Sequence, residues 1–260
     1  MNPFTIIFYQ PILNLLIWLH NIIPGDDFGW AIIAVTIIIK LILLPLSAKS
    51  LRSQKALQEI QPKVDELRKK YKDNKEAMGK ELMQLYKKEK VSPFSSCLPL
   101  IIQLPFLFAM FRVLRDGLSN DALDKLYPFI HAPEAVNTMF LGIINLENPS
   151  IYLAIIAGAL QFWQTRMLTH KKQPQVPGSK DESMTSMMNK QMMYMAPVIT
   201  VVFGATLPGG LTLYWTMNTL TTLIQQIIVL RKKNTPSSPS SGSNIIDVVP
   251  SDNSAPKMSN

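Results

Sequence analysis

Lys40 is the residue whose type and surroundings most strongly suggest chemistry. It lies inside a long apolar segment, FGWAIIAVTIIIKLILLPLS, which begins at Phe28 and ends at Ser47. A charged side chain in the hydrocarbon of a bilayer costs about 2.5 kcal/mol or more, so such a residue usually has a function or a partner. The long apolar segments contain no carboxylate that could neutralise it. The sequence therefore predicts a water-filled cavity or a ligand around Lys40, with an internal ion pair as the alternative.

Polar residues on other apolar segments recur at helical spacing and could line the same cavity. One stripe places Trp215, Asn218, Thr222 and Gln225 at positions i, i+3, i+7 and i+10. For any single residue of this kind, an interhelical hydrogen bond is the alternative explanation. Stripes on several segments, together with one cation, indicate a hydrophilic groove. The candidate groove residues are Lys40, Thr36, Gln103, Gln161, Gln164, Trp215 and Asn218.

Motifs of enzymes and of metal centres are missing from the sequence. It has no P-loop, no HExxH and no GxSxG, and no apolar segment holds a Ser/His set or paired carboxylates. The single cysteine, Cys97, cannot form an internal disulfide, and the three histidines are too scattered to form a zinc site with it. We therefore expect no enzymatic activity, no metal and no cofactor.

The helices that hold the candidate groove residues can be predicted from the alternation of apolar and charged segments along the sequence. Residues 1–39 contain no Lys or Arg, whereas residues 48–95 contain thirteen. Long apolar runs alternating with charged runs are typical of a chain that crosses a bilayer several times. We predict an all-α membrane protein with five transmembrane helices, an N-terminal interfacial helix and a cytoplasmic helical hairpin.

The order of the predicted segments follows from the apolar runs and the turn signals. The N-terminal helix has a thin polar stripe (Gln10, Asn14 and Asn21) and is too short to span a bilayer, and Pro62 marks a helix start within the hairpin. The predicted segments are an outer-surface interfacial helix and turn at 1–27, span one at 28–47, the cytoplasmic hairpin at 48–95, span two at 96–115, an outer loop at 116–149, span three at 150–168, a cytoplasmic loop at 169–190, span four at 191–207, a turn and span five at 208–230, and a disordered cytoplasmic tail at 231–260.

The distribution of charge predicts the orientation. The segment 48–95 has thirteen basic and seven acidic residues, and the segment 165–192 has five and two, whereas the segment 112–149 has three basic and five acidic residues. Because basic-rich loops stay in the cytoplasm, the N-terminus lies outside and the C-terminus inside. Arg112 and Arg115, at the outer end of span two, go against this rule. The rule also explains the net charge of +8, so we expect no specific nucleic-acid partner.

The order of these features resembles that of the YidC-type membrane protein insertases, which include the mitochondrial oxidase-assembly and chloroplast thylakoid insertases. The resemblance covers about residues 10–232, and the CLPLIIQLP and GLTLYW segments together make it highly specific. The matching pieces are IIIKLILLPLSAKSLRSQKALQEIQPKVDELRKKYKDNKE, SPFSSCLPLIIQLPFLFAMFRVL, QFWQTRM, MMYMAPVITVVF and LPGGLTLYWTMNTLTTLIQQ. The absence of basic residues from the N-terminus is unlike an organelle presequence, so we expect the bacterial cell membrane.

The resemblance implies a membrane protein insertase and chaperone with a five-helix core. Its groove opens to the cytoplasm and to lipid, and Lys40 takes the place of a cation that is Arg in most members. It implies insertion of nascent membrane proteins into the lipid bilayer without nucleotide hydrolysis, with the ribosome and the Sec translocon as candidate partners. The alternative is a small solute transporter or channel with Lys40 as an anion site, but such proteins usually have internal repeats, which this sequence lacks. A scaffold protein whose hairpin binds partners is a third reading.

Overall fold

The structure is a computed structural model in which most of the described residues are helical. It describes residues 2–72, 74–92, 98–116, 120–133, 136–169 and 193–231. The predicted helical class is confirmed, with one short antiparallel β-hairpin added. The elements are α1 (Gln10–Ile22, continuing a π-helical turn at Thr5–Tyr9), α2 (Phe28–Ile42), α3 (Leu44–Lys70), α4 (Lys75–Lys88), α5 (Leu98–Asp116), α6 (Asn120–Leu123), β1 (Met139–Phe140), β2 (Ile144–Asn145), α7 (Ile151–Thr169), α8 (Met193–Gly204) and α9 (Gly209–Arg231).

Helix α9 is the centre of the bundle, because α2, α3, α5 and α7 all pack against it. Its first turns are buried, including Leu213 and Tyr214. Glycine lets the neighbouring helices approach closely. A Cβ atom on Gly158 of α7 would lie 2.3 Å from Cγ2 of Val201 in α8. Because four helices pack against α9, its polar residues are surrounded by other helices and can interact with several of them.

Helix α2 ends in a sharp bend. It begins at the N-cap residue Asp27, whose carboxylate accepts a hydrogen bond from a backbone amide of the first turn. The axes of α2 and α3 differ by 68°, with Leu43 between the two helices. Pro45 follows in the first turn of α3, where its fixed φ and missing N–H are tolerated. The bend leaves Lys40 in the last turn of α2.

One end of the bundle is closed by the loop at residues 136–150, and we call it the loop end. The amide of Phe28 at the start of α2 donates to the carbonyl oxygen of Asn137 at 3.1 Å. At the start of α9, the amide of Gly209 donates to the carbonyl oxygen of Asn148 at 2.9 Å. A Cβ atom on this glycine would meet the same carbonyl at 2.9 Å. The loop therefore fixes the starts of α2 and α9 side by side, and only glycine fits beneath it.

The N-terminal helix runs across the loop end. Near its start, Oγ1 of Thr5 lies 3.5 Å from Nη1 of Arg112 in α5. The same end of α5 reaches the start of α9, where Leu114 lies next to Gly210. At the other end of α1, the ring of His20 packs edge-on against Phe28 at the start of α2. Helix α1 thus connects two helix ends that lie at the same level.

The polar stripe of α1 binds the backbone of residues 125–131. The side chain of Asn14 donates to the carbonyl oxygen of Lys125 at 3.0 Å and accepts from the amide of Tyr127 at 2.6 Å. Asn21 donates to the carbonyl oxygen of His131 at 2.8 Å. A loop packed against protein must find partners for its backbone groups, and this stripe supplies them.

Helices α3 and α4 pack against each other and are joined by a short turn. An ion pair between Nζ of Lys63 and Oε1 of Glu89, 2.5 Å apart, links α3 to the residue that follows α4. The predicted helix start at Pro62 is wrong, because α3 continues through this proline. The residues on either side of it, Ile60 and Val64, are buried, and their packing keeps the helix intact despite the missing hydrogen bond.

Helix lengths test only part of the predicted membrane architecture. Within the described ranges, Thr5–Ile22 is the single helix that is both long and apolar enough to cross a bilayer, and half of it is buried in the protein. The bent pair Phe28–Ile42 and Leu44–Lys70 would count as a second, broken span, and Met193–Gly204 is apolar but shorter. The count of five spans and the interfacial position of the N-terminal helix stay predictions. Apart from their first residues, the predicted loop at 169–190 and the predicted tail at 231–260 lie outside the described residues.

Candidate functional site around Lys40

Lys40 is half-buried and is bonded directly to the central helix. Its Nζ donates a hydrogen bond to Oγ1 of Thr222 at 2.9 Å. That hydroxyl donates in turn to the carbonyl oxygen of Asn218 at 2.7 Å. An ammonium group has three N–H donors, so the bond to Thr222 uses only one of them. Thr222 therefore fixes the position of the cation without neutralising its charge.

The charge of Lys40 has no partner of opposite sign in the part of the chain that the structure describes. The ion pairs found there join side chains of the hairpin to one another, or two arginines of α5 to Asp116. A half-buried cation without a counter-ion needs water or a polar ligand to solvate it. The surroundings of Lys40 therefore suit an acidic or polar group that comes from another molecule.

Buried polar atoms without a partner in the described part of the chain occur on α9 near Thr222 and on the neighbouring helix α3. On the turns of α9 around Thr222, side-chain oxygens of three residues lack a hydrogen-bond partner among the described residues. The hydroxyl of a buried serine on α3 also lacks one there, and α3 packs against α9. A buried polar atom without a partner costs about 1–3 kcal/mol. Water or the backbone amides of another chain could satisfy them. The atoms are Oδ1 of Asn218, Oε1 of Gln225, Oε1 of Gln226 and Oγ of Ser50.

Two predicted groove residues, Thr36 and Gln103, find their partners inside the protein. Thr36 is buried one turn before Lys40, and its hydroxyl donates to the carbonyl oxygen of Ile32 at 2.7 Å. The amide of Gln103 donates to the hydroxyl of Tyr214, which joins α5 to α9. Neither side chain forms a hydrogen bond with Lys40. Both contribute to the frame around the cation, and their contact with a substrate stays a prediction.

The other predicted groove residues lie on α7 and α9, which pack along each other. Gln161 and Gln164 of α7 and Trp215 of α9 are half-buried. Asn218 is linked to the Lys40 site by its carbonyl oxygen, which accepts a hydrogen bond from the hydroxyl of Thr222. For the two glutamines and the tryptophan, the role in a groove stays a prediction.

Sequence reasoning left several residues of this site out of the candidate groove. Thr222 belongs to the polar stripe of α9 and lies one turn after Asn218, so the stripe itself was the available signal. Gln226 lies next to that stripe. Ser50 gave no signal, because it belongs to the charged segment predicted to lie in water, yet it is fully buried. Tyr214 is also buried and could be placed only by knowing which helix faces α5.

The chain matches a known family over most of its length. The family model described as 60Kd inner membrane protein matches residues 18–236. The chain belongs to this family. Proteins of the family that resemble it are named membrane protein insertase YidC, so the sequence resemblance to the YidC-type insertases is confirmed. The family name and the bacterial origin of these relatives support a location in the bacterial inner membrane.

Two relatives show how much of a YidC protein the chain represents. The membrane protein insertase YidC of Fusobacterium nucleatum subsp. nucleatum is 34% identical over 206 residues, which are 79% of this chain and 87% of that protein. The YidC of Francisella tularensis subsp. novicida is 34% identical over 220 residues, which are 84% of this chain but only 35% of that protein. The chain thus matches nearly all of one relative and about a third of the other.

A solved structure of the family supports the same fold. The active YidC insertase crystal structure with the first transmembrane domain resolved matches with a TM-score of 0.56 and 25% sequence identity. The match covers 91% of this chain and 48% of that one. The family members found in these comparisons are named as insertases and not as enzymes.

Proposed function

We propose that the chain inserts membrane proteins into the bacterial inner membrane and helps them fold, using a hydrophilic groove within the membrane that has Lys40 at its centre. Membership of the YidC family supports the general function. The observation that carries the specific proposal is the half-buried Lys40 ammonium, which is held by Thr222 and paired with no carboxylate among the described residues.

The cation acts on the hydrophilic part of the substrate. At 4 Å, two opposite unit charges attract each other by about 4 kcal/mol when the effective dielectric constant is about 20. Lys40 therefore lowers the cost of drawing an acidic residue of the translocating segment towards the middle of the membrane. Lysine is a compact point charge without the planar fork of arginine, so it favours negative charge with little demand on geometry.

The buried acceptors around Thr222 act on the substrate backbone. A polar segment that enters the groove must give up hydrogen bonds between its amides and water, and each lost bond has a cost. The side-chain oxygens of Asn218, Gln225 and Gln226 are buried, and they can accept hydrogen bonds from those amides when the helices around them separate to admit the segment. The groove thereby shortens the apolar distance that the polar segment has to cross.

Insertion then proceeds without nucleotide hydrolysis. Once the polar segment has passed, an apolar segment of roughly 20 residues can move from the groove into lipid, and the hydrophobic effect drives that step. The protein needs to lower the barrier and does not need to supply energy. This mechanism agrees with the missing nucleotide-binding motifs of the sequence.

The proposed orientation has five spans, with the N-terminus outside and the C-terminus inside. The loop end then faces outward, and the hairpin of α3 and α4 faces the cytoplasm. Exposed aromatic side chains near the loop end support its position at a membrane interface, because Trp and Tyr are enriched at both interfaces, and the charge distribution supports the outward direction. They are Trp18 on α1, Trp30 in the first turn of α2 and Tyr152 in the first turn of α7.

The hairpin is the proposed contact site for the ribosome or the Sec translocon, while nascent membrane proteins and the lipid bilayer are the partners of the core. A cavity of about 530 Å³ lies between α3 and α4 and combines charged and apolar side chains. Such a surface suits a transient protein contact better than a permanent one. The lining residues are Lys63, Glu66, Leu67, Lys70, Glu81, Gln84, Leu85 and Lys88.

Reconstitution tests the proposed function. The purified full chain is placed in lipid vesicles and supplied with a short single-span protein that has an acidic outer tail. Protease protection of that tail, measured with and without nucleotide, reports insertion. We expect protection that depends on the chain and is independent of nucleotide. Equal protection in vesicles without the chain would contradict the proposal, and a strict need for nucleotide would contradict the mechanism.

A further inference from the structure

Two arginines at the loop end have no role in the proposed insertion mechanism. Arg112 and Arg115 lie in the last two turns of α5, which face outward in the proposed orientation, where positive charge is normally scarce. Asp116 pairs with both, through contacts of 3.4 Å to Nε of Arg112 and 3.4 Å to Nη2 of Arg115. One carboxylate shared by two guanidinium groups leaves an excess of positive charge.

The two arginines border a cavity whose other walls are aromatic. The cavity has a volume of about 330 Å³ and is lined by Phe4, Phe108, Phe111, Arg112 and Arg115. Phe108 lies one turn further from the loop end than Arg112 and is 57% exposed. The cavity thus has a cationic rim at the loop end and an apolar wall that continues along α5 towards the middle of the bundle.

Contacts with the N-terminal helix hold one of the arginines in place. The guanidinium carbon of Arg112 lies 4.9 Å from the ring centre of Tyr9, and Nη1 lies 3.5 Å from Oγ1 of Thr5. The side chain of Arg115 is 64% exposed, and its contacts among the described residues are with Asp116 and the ring of Phe111. One guanidinium group is therefore preorganised, and the other can turn towards a ligand.

We propose that this cavity binds an anionic phospholipid. The phosphodiester group accepts hydrogen bonds from the guanidinium N–H groups of Arg112 and Arg115 that Asp116 leaves free, and an acyl chain lies along Phe108 and Phe111. Guanidinium donors match phosphate oxygens in bidentate geometry, and charge-assisted hydrogen bonds of this kind are strong. A free phosphate or an acidic peptide would satisfy the arginines but leave the phenylalanine wall uncovered. A phospholipid covers both, with its headgroup at the loop end and its chain directed into the membrane.

Lipid binding to the purified full chain tests this site without any insertion reaction. Native mass spectrometry of the protein in detergent, titrated with phosphatidylglycerol or with phosphatidylcholine of the same acyl chains, gives the two affinities. We expect the anionic lipid to bind more tightly. Arg115→Gln should weaken its binding by about tenfold, the effect of losing one charge-assisted hydrogen bond. Phe108→Ala should weaken both lipids. The matched control is Arg166→Gln, an exposed arginine in the last turn of α7, which should change neither affinity.

The outcomes that would overturn the proposal are equally specific. Equal affinities for the two lipids, an unchanged affinity in Arg115→Gln, or an equal loss in Arg166→Gln would each exclude a lipid site at these arginines. Competition by an acidic peptide that depends on Arg115, without preferential binding of phosphatidylglycerol, would assign the cavity to substrate tails instead. Circular dichroism of each variant verifies the fold, and the choice of Arg115 avoids the contacts of Arg112 with the π-helical turn before α1. Failure here would leave the proposed function unaffected.

Discussion

The hydrogen bond between Lys40 and Thr222 can be tested by removing each partner. Thr222→Val keeps the shape of the side chain and removes the hydroxyl that accepts from Nζ of Lys40 at 2.9 Å. Lys40→Met removes the cation and keeps a long side chain. The double variant completes a thermodynamic cycle, in which the loss of the hydroxyl's own bond to Asn218 occurs with and without Lys40 and therefore cancels.

The expected coupling follows from the kind of bond and its place between α2 and α9. Hydrogen bonds between helices in membrane proteins contribute about 0.6 kcal/mol on average and up to about 1.7 kcal/mol. A charged donor makes such a bond roughly twice as strong as a neutral one. Because Lys40 is only half-buried, water competes for its remaining donors. We therefore expect a coupling free energy of about 1 kcal/mol.

Free energies of unfolding in detergent, measured for the four proteins of the cycle, give this coupling. The control cycle replaces Thr221 by Val. Its hydroxyl donates within α9 to the carbonyl oxygen of Met217 at 2.8 Å and makes no bond to Lys40. That cycle should show no coupling. A coupling below about 0.3 kcal/mol between Lys40 and Thr222, or an equal one for Thr221, would refute the conclusion that Thr222 fixes the cation.

Gly158→Val should destabilise the bundle by about 1–3 kcal/mol, because the new Cβ would lie 2.3 Å from Cγ2 of Val201. In thermal unfolding, the second substitution Val201→Ala should restore stability, and no recovery would exclude this clash. With Cys97 replaced, a membrane-impermeant thiol reagent on intact cells should label a cysteine at position 119 but not at 237, and the opposite pattern would invert the topology. Amide exchange should be faster in the hairpin of α3 and α4 than in α9, because α4 buries no residue; equal protection would contradict this mobility.

The sequence was most informative where one residue type was out of place. Lys40 was recognisable because a cation in an apolar segment has a large cost, and Asn218 because polar residues recurred at helical spacing around it. Both inferences depend on local chemistry and on the period of a helix. In the structure, the hydroxyl of Thr222 accepts a hydrogen bond from the ammonium of Lys40 and donates one to the carbonyl oxygen of Asn218.

Features that depend on tertiary packing could not be predicted in the same way. The polar stripe of α1 predicted an interfacial helix, but it could not show that Asn14 bonds to the backbone of a segment more than a hundred residues away. Pro62 was expected to start a helix, but buried neighbours carry α3 through it. Ser50 belongs to a charged segment, and its burial depends on the packing of α3 against several other helices.

The charge of Lys40 decides the central claim. Two substrates that differ only in their outer tails, one acidic and one uncharged, are inserted into vesicles by wild type, Lys40→Arg, Lys40→Ala and Lys40→Glu, and protease protection of the tails is measured. Arginine should insert the acidic substrate about as well as lysine. Alanine should reduce its insertion by about tenfold, because desolvation of the two charges offsets most of their attraction. Glutamate should reduce it by more, through repulsion, while the uncharged substrate changes less. Equal insertion of the acidic substrate by wild type and Lys40→Glu would show that the cation does not attract the substrate.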